Sequence, residues 1–189
     1  MSKFSEPRQA GIPTTYAGIR FRSRLEAKWA AFFDLVGWPW EYEPFDCDGW
    51  IPDFLLKGRC PVLTDVKPMY HFDEWQGYAA KIAGSNPPYP AAVVGAGLLE
   101  CGRRFHDSCF GVFVTDDCAD SSPMWHHAGC DLTFGRHCGK LNGLTYMTTE
   151  GGWACGLCGE HGKHYGLYGV SFTDLWNSAG NMVQWVPSP

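Results

Sequence analysis

The sequence predicts an α/β fold, a mixed β-sheet flanked by helices, followed by a small zinc-binding subdomain. The core prediction rests on the order of local patterns, which runs helix, three strands, helix, two strands. The zinc prediction rests on composition, since five of the nine Cys and five of the seven His residues fall between Cys118 and His164. With 189 residues, 45% of them hydrophobic, the chain is long enough to bury a core.

The first helix is predicted between Ser23 and Val36, where apolar side chains recur at helical spacing and Gly37 stands at the expected end. Residues 1–15 contain prolines and a glycine without an apolar period, so we expect an irregular or mobile segment with order beginning near Tyr16.

Strand patterns and a second helix pattern follow. A β-meander is predicted over Trp40 to Tyr42, Trp50 to Leu56 and Pro61 to Val66. The second helix is predicted over Phe72 to Ala83, and two buried strands over Ala91 to Val94 and Phe110 to Val114.

A polar break around Asp116 predicts a boundary between a core domain, 16–115, and a Cys/His-rich region with a C-terminal segment, 116–189. At the end of the chain, Phe172 to Trp185 suggests a turn of helix and a strand that pack back on the body.

The charge and hydropathy of the chain limit the classes of partner that it is expected to bind. The net charge of −5 argues against a general polyanion binder, but Arg20, Arg22, Arg24 and Lys28 form a local basic patch. The longest apolar stretches are too short to span a bilayer, and the amino terminus lacks a basic region followed by a hydrophobic block. We therefore expect a cytoplasmic protein that makes no membrane contact.

Two aspartates inside hydrophobic strand patterns are the most informative feature. Asp53 follows Pro52, and Asp65 precedes Val66 and Lys67. Side chains alternate in a strand, so Asp65 and Lys67 project to one side, which Asp53 reaches if the two strands pair as a hairpin. Carboxylates held that close repel unless a cation lies between them, and Mg²⁺ prefers such oxygen ligands. Phosphodiester hydrolysis follows as a hypothesis.

These residues resemble the PD-(D/E)xK nuclease superfamily, which includes restriction endonucleases, recombination nucleases and phage enzymes. The resemblance covers Tyr16 to Val114 and implies a restriction-endonuclease-like sheet. It implies that Asp53, Asp65 and the Val66 carbonyl hold Mg²⁺ or Mn²⁺, that Lys67 assists the attacking water, and that Glu26 completes the catalytic site.

Two of these assignments have structural alternatives. Ser23 and Glu26 also fit a capping box, in which the glutamate bonds back to the Ser23 amide. The arginines Arg20, Arg22 and Arg24 are interpreted as DNA phosphate contacts beside the metal, and the alternative is a solvated edge.

The motif Cys155-Gly156-Leu157-Cys158 is one half of a zinc ribbon. Cys138 suits the other half, whose first member would fall at Gly135, so one ligand is displaced. We expect Cys130 as the fourth ligand of a structural Zn²⁺ and His161 as its alternative, with His137 and His164 as further substitutes. Buried free cysteines are the competing interpretation.

The resemblance predicts a metal-dependent DNA endonuclease of phage or mobile-element type that acts in recombination, restriction or replication. A homodimer is one way for a domain that cuts one strand to break both. The competing hypothesis is a non-catalytic, zinc-containing module that binds nucleic acid or protein on a nuclease-like fold.

Overall fold

The structure is a computed structural model that describes residues 11–58, 61–99, 110–114, 129–137, 140–147, 153–155, 161–162 and 171–184. Within these ranges, every helix is too short or too polar to traverse a lipid bilayer.

A small hairpin precedes the first helix. Strands β1 (Thr14–Tyr16) and β2 (Ile19–Phe21) pair antiparallel. The two turn residues, Ala17 and Gly18, have positive φ angles of 48° and 79°, as a two-residue hairpin turn of type I′ requires. The sequence does not predict this hairpin, and the predicted start of order near Tyr16 is too late, because strands of three residues are too short to show an alternating pattern.

Helix α1 (Arg24–Leu35) lies where the sequence predicts it. Ser23 is its N-cap, since the Ser23 hydroxyl accepts a hydrogen bond from the backbone N–H of Glu26. Gly37, with a φ of 69°, follows the helix and takes the left-handed conformation that glycine adopts most readily.

The described strands that follow form one mixed sheet in the order β11-β10-β9-β8-β7-β6-β5-β4-β3. The strands are β3 (Trp40–Tyr42), β4 (Phe54–Leu56), β5 (Val62–Val66), β6 (Ala91–Val94), β7 (Gly111–Val114), β8 (Gly129–His137), β9 (Lys140–Met147), β10 (Trp153–Cys155) and β11 (His161–Gly162). Strands β5 and β6 pair in parallel, and the other neighbours pair antiparallel.

The parallel pair is joined by the helical crossover that the sequence predicts. This connection contains a 3₁₀ helix (Phe72–Trp75) that leads into α2 (Gln76–Ala83). The α/β class and the mixed sheet are therefore confirmed. The domain boundary predicted near Asp116 lies outside the described residues.

Helices cover both faces of the central strands. Side chains of β6 alternate, so that Ala92 and Val94 join the core beneath α1, while Val93 joins the core beneath α2. On β5, Leu63 also faces the α2 side. The same alternation directs Asp65 toward that side of the sheet.

The C-terminal segment differs from its prediction. It forms α3 (Phe172–Met182), a full helix rather than a turn followed by a strand. The ring centroids of Trp176 and Trp29 lie 4.7 Å apart, and those of Phe172 and Phe32 lie 5.0 Å apart. Aromatic packing on α1 therefore stabilises α3.

Strand β4 is shorter than the predicted run from Trp50 to Leu56. Trp50 pairs instead with Cys47 across a tight turn. Pro52 has no N–H for a ladder hydrogen bond, so regular pairing begins only at Phe54. Asp53 consequently lies one residue before the strand and not within it.

Candidate active site

The β4–β5 hairpin brings Asp53, Asp65 and Lys67 together. Phe54 pairs with Thr64, and the two aspartates each lie one residue beyond this pair. The Lys67 ammonium Nζ is 2.7 Å from Asp65 Oδ2 and 3.9 Å from Asp53 Oδ2. The two acidic groups and the amine therefore meet at the end of the hairpin.

Asp53 is held by donors from three directions. Its Oδ2 accepts a 2.6 Å hydrogen bond from the backbone N–H of Val66, and its Oδ1 accepts one from the guanidinium of Arg22. The Lys67 ammonium, 3.9 Å from Oδ2, is the third neighbour and the second that carries a positive charge. For Val66, whose carbonyl is a predicted metal ligand, the contact with Asp53 is made by the amide.

Burial perturbs the acidity of Asp53. Its side chain is 3% exposed, and this desolvation raises the pKa of Asp53 to about 7. The Asp65 carboxylate adds to the rise, whereas Lys67 and the Val66 N–H oppose it. At neutral pH this carboxyl therefore retains a proton in a large fraction of molecules unless a further cation favours its charged form.

Glu26 lies in the first turn of α1, on the other side of the cluster. Its Oε1 accepts a 2.9 Å hydrogen bond from the Ser23 hydroxyl, and its Oε2 accepts from the Tyr42 hydroxyl at 2.6 Å and from the Arg22 amide at 3.1 Å. The predicted capping interaction is thus present, but the glutamate bonds back to the amide of Arg22 instead of Ser23. Burial and the hydrogen bond to Glu26 raise the pKa of Tyr42, so its hydroxyl stays protonated and donates to the carboxylate.

Arg22 links the two halves of the cluster. Its Nε lies 3.1 Å from Glu43 Oε1 and 3.9 Å from Glu26 Oε2, while Nη2 contacts Asp53. Burial lowers the pKa of Arg22, but the three carboxylates outweigh this and raise it above its ordinary value. Arg22 therefore contacts three carboxylates, and its predicted contact with a DNA phosphate stays a prediction.

The other two predicted DNA-binding arginines lie elsewhere. Arg20 is exposed on β2, and Arg24 is exposed at the start of α1. Arg24 lines a cleft of about 600 Å³, which Glu26, Val66 and Lys67 also line. Of the three arginines, Arg24 is the one that lines this cleft, and the predicted DNA contacts stay predictions.

Carboxyl groups outnumber cationic side chains in the cluster. Four carboxylates, those of Glu26, Glu43, Asp53 and Asp65, share two cations, Arg22 and Lys67. Within the described part of the chain, however, no three His, Cys, Asp or Glu side chains are grouped to hold a metal.

Mg²⁺ does not require such a group, because it is commonly bound by one or two carboxylates together with water and substrate phosphate. The two aspartates and the Val66 carbonyl are donors of this kind, so the residues present fit a hard divalent cation.

No family model, curated protein or solved structure matches this chain. The resemblance to PD-(D/E)xK nucleases therefore rests on the motif residues quoted above.

Sequence reasoning missed three contributions to the site, those of Arg22 as a carboxylate partner, Tyr42 and Glu43. Tyr42 is 16 residues from Glu26, and Arg22 is 31 residues from Asp53. No local spacing reports contacts over such distances. The one local signal was a pair of acidic residues flanking Tyr42 at the end of a short strand.

The predicted zinc ligands lie partly within and partly outside the described residues. Cys138 and Cys158 lie outside the described residues. Cys130, Cys155 and His161 belong to β8, β10 and β11, of which the backbone pairing is described. The zinc site stays a prediction.

Proposed function

We propose that this protein is a divalent-metal-dependent nuclease that hydrolyses phosphodiester bonds in DNA. The observation that carries the proposal is the convergence of Asp53, Asp65 and Lys67 at the end of one hairpin, beside a cleft that Glu26 and Lys67 line. A role in recombination, restriction or replication of a phage or mobile element is implied by the family resemblance alone.

In this proposal, Asp53, Asp65 and the Val66 carbonyl hold Mg²⁺ or Mn²⁺. The bound ion supplies Lewis-acid activation of the scissile phosphate and lowers the pKa of the attacking water. The hairpin already brings the carboxylates of Asp53 and Asp65 close to the Lys67 ammonium, so no rearrangement of the backbone is needed to bring them together.

Lys67 is proposed to hydrogen-bond the attacking water or a non-bridging phosphate oxygen. Its side chain is three-quarters buried, and its ammonium lies 2.7 Å from Asp65, which fixes its position. A fixed positive donor at this point stabilises negative charge that develops on the phosphate. Arg24, which lines the cleft, is proposed to contact the next phosphate along the strand.

Glu26 and Arg22 are proposed as the second half of the site. Glu26 orients water at the cleft, and its position is set by Ser23 and Tyr42. Arg22 is a positioning residue, because it holds one oxygen of Asp53 and leaves the other toward Lys67.

The test is cleavage of supercoiled plasmid DNA in Mg²⁺ by purified protein. Asp65→Asn and Lys67→Ala are each expected to lower the rate at least about 100-fold, since each removes a charge that acts on the transition state. Lys57→Ala is the matched control, because Lys57 forms an exposed pair with Glu41 and does not belong to the cluster. Circular dichroism checks that each variant is folded.

The competing proposal is a non-catalytic, zinc-containing module that binds nucleic acid or protein. The observation in its favour is that Arg22 and Lys67 already neutralise part of the charge on Asp53 and Asp65. Wild-type protein that binds DNA but leaves plasmid, single-stranded and branched DNA intact with Mg²⁺ or Mn²⁺ would establish the module and exclude the nuclease.

A further inference from the structure

The cleft beside the carboxylate cluster has a largely apolar wall. Ile12, Leu25, Pro68 and Tyr78 line it together with the polar groups of the site. Ile12 is 60% exposed, so this wall is accessible from solvent. An accessible apolar surface continuous with a charged site is typical of a position where part of a ligand is bound.

The aromatic ring of Tyr78 lies close to the catalytic groups. Its centroid is 5.9 Å from the Lys67 ammonium, which contacts Asp65 and lies near Asp53. A group that stacks on this ring therefore lies close to the phosphate that Lys67 is proposed to contact. The spacing suits a nucleobase and the phosphate attached to the same nucleotide.

The size of the cleft also restricts the occupant. A volume of about 600 Å³ is within the range of sites for small ligands and accepts a nucleotide. A base-paired duplex presents its stacked bases inward, so its phosphates reach Lys67 without placing any base in the cleft. An unpaired base can enter, because its aromatic faces are open for stacking.

We propose that this cleft binds an unpaired nucleobase against Tyr78, next to the scissile phosphate, and that the preferred substrate is therefore single-stranded or locally unpaired DNA. This inference rests on the proposed nuclease function. Arg24 and Lys67 supply positive charge for the flanking phosphates, and Ile12 covers the base from the lip of the cleft.

The test measures binding without cleavage, using a fluorescein-labelled oligothymidylate and a duplex of equal length in EDTA at matched ionic strength. Wild-type protein is expected to bind the single strand at least about tenfold more tightly than the duplex. Tyr78→Leu is expected to weaken single-strand binding about tenfold, whereas Tyr78→Phe, which keeps the ring, retains it. Tyr89→Leu is the control, since Tyr89 is an exposed tyrosine that does not line the cleft.

A second variant guards against misfolding of the Tyr78 variant. Ile12→Asp changes an exposed side chain at the lip of the cleft and is expected to weaken single-strand binding without lowering Tm. Equal affinity for the two DNA forms, or unchanged binding by both Ile12→Asp and Tyr78→Leu, overturns the inference. An oligouridylate arm shows whether the same base-stacking site also accepts RNA.

The outcomes separate this inference from the proposed function. Plasmid cleavage that depends on Asp65, without single-strand preference, removes the inference and leaves the nuclease. Tyr78-dependent single-strand binding, with no cleavage of any DNA form, supports the base site and removes the nuclease.

Discussion

Asp53 is a buried carboxyl whose protonation affects the stability of the fold. Its pKa rises from an ordinary value of 3.8 to about 7 in the folded protein. The folded state therefore binds the proton more tightly than the unfolded state between these values, and stability from this group is greatest at low pH. This contribution is lost as the pH rises from about 4 through about 7.

We expect Asp53→Asn to flatten the pH dependence of unfolding in metal-free protein. Urea unfolding in EDTA at about pH 5 and about pH 8 measures this effect. The loss of stability between the two pH values is expected to be smaller in the variant by on the order of 2 kcal/mol. Asp48→Asn, at an exposed position, is the control that keeps the wild-type dependence. An identical pH dependence in wild type and Asp53→Asn would contradict the assigned acidity.

At the scale of single elements, Ser23 at the start of α1 both caps the helix and contacts the proposed catalytic residue Glu26. Ser23 caps the helix through the Glu26 amide at 3.1 Å, and its hydroxyl donates to Glu26 Oε1 at 2.9 Å. The residue that begins the helix therefore also positions a proposed catalytic carboxylate. The capping and catalytic interpretations of Glu26 are compatible in this geometry.

Ser23→Ala is expected to lower the free energy of unfolding by about 1 kcal/mol and to lower the rate of plasmid cleavage as well. Ser23→Thr, which keeps the hydroxyl, is expected to restore both. Ser171→Ala is the matched control, since Ser171 caps α3 in the same way through Asp174. A loss of stability in Ser171→Ala should leave cleavage by the folded protein unchanged. Equal activity of Ser23→Ala and wild type would remove the positioning role of Ser23.

The hairpin β4–β5 is the element that creates the site. Its register places Phe54 opposite Thr64, so Asp53, which precedes Phe54, and Asp65, which follows Thr64, lie next to this pair on the same side of it. A shift of this register by one residue would move Asp65 to the other face of the sheet. The buried Phe54 and Leu56 on one face and Leu63 on the other oppose such a shift, because they would exchange faces too.

At the scale of the whole molecule, the sheet and its helices hold residues from four segments of the chain around one cluster. The pairing of α1, β3 and the β4–β5 hairpin brings Glu26, Tyr42, Asp53 and Lys67 together. The packing of α3 on α1 extends the core on the side away from α2. Trp29 and Phe32 of α1 pack against Trp176 and Phe172 of α3, and this aromatic packing holds the two helices together.

The zinc prediction also belongs to this scale. We expect purified protein to contain about one equivalent of Zn²⁺, bound by Cys138, Cys155 and Cys158 with Cys130 or His161. Cys155→Ser is expected to lower the zinc content and Tm, because closed sites of this type contribute to folding. Cys47→Ser is the control that retains zinc, since Cys47 is a free cysteine in another part of the fold. Folded wild-type protein without zinc would refute the prediction.

Local patterns predicted several elements to within a residue, because the information that decides them is local. The apolar spacing and Gly37 predict where α1 begins and ends. The short runs of β3 and β6 end where polar residues or glycines begin. The β1–β2 hairpin and the length of α3 were missed. In α3 the decisive contribution is burial of Phe172 and Trp176 against α1, which no local pattern contains.

The sequence by itself determined which residue types could form the site. Two aspartates and a lysine in or beside apolar runs are visible without coordinates, and Glu26 at a helix start is equally visible. Only the tertiary structure decided that Arg22 and Tyr42 join them, and that Asp53 lies before its strand. The reason is physical: these contacts depend on the packing of distant segments and on the missing N–H of Pro52, whereas periodicity reports only how neighbouring residues are oriented.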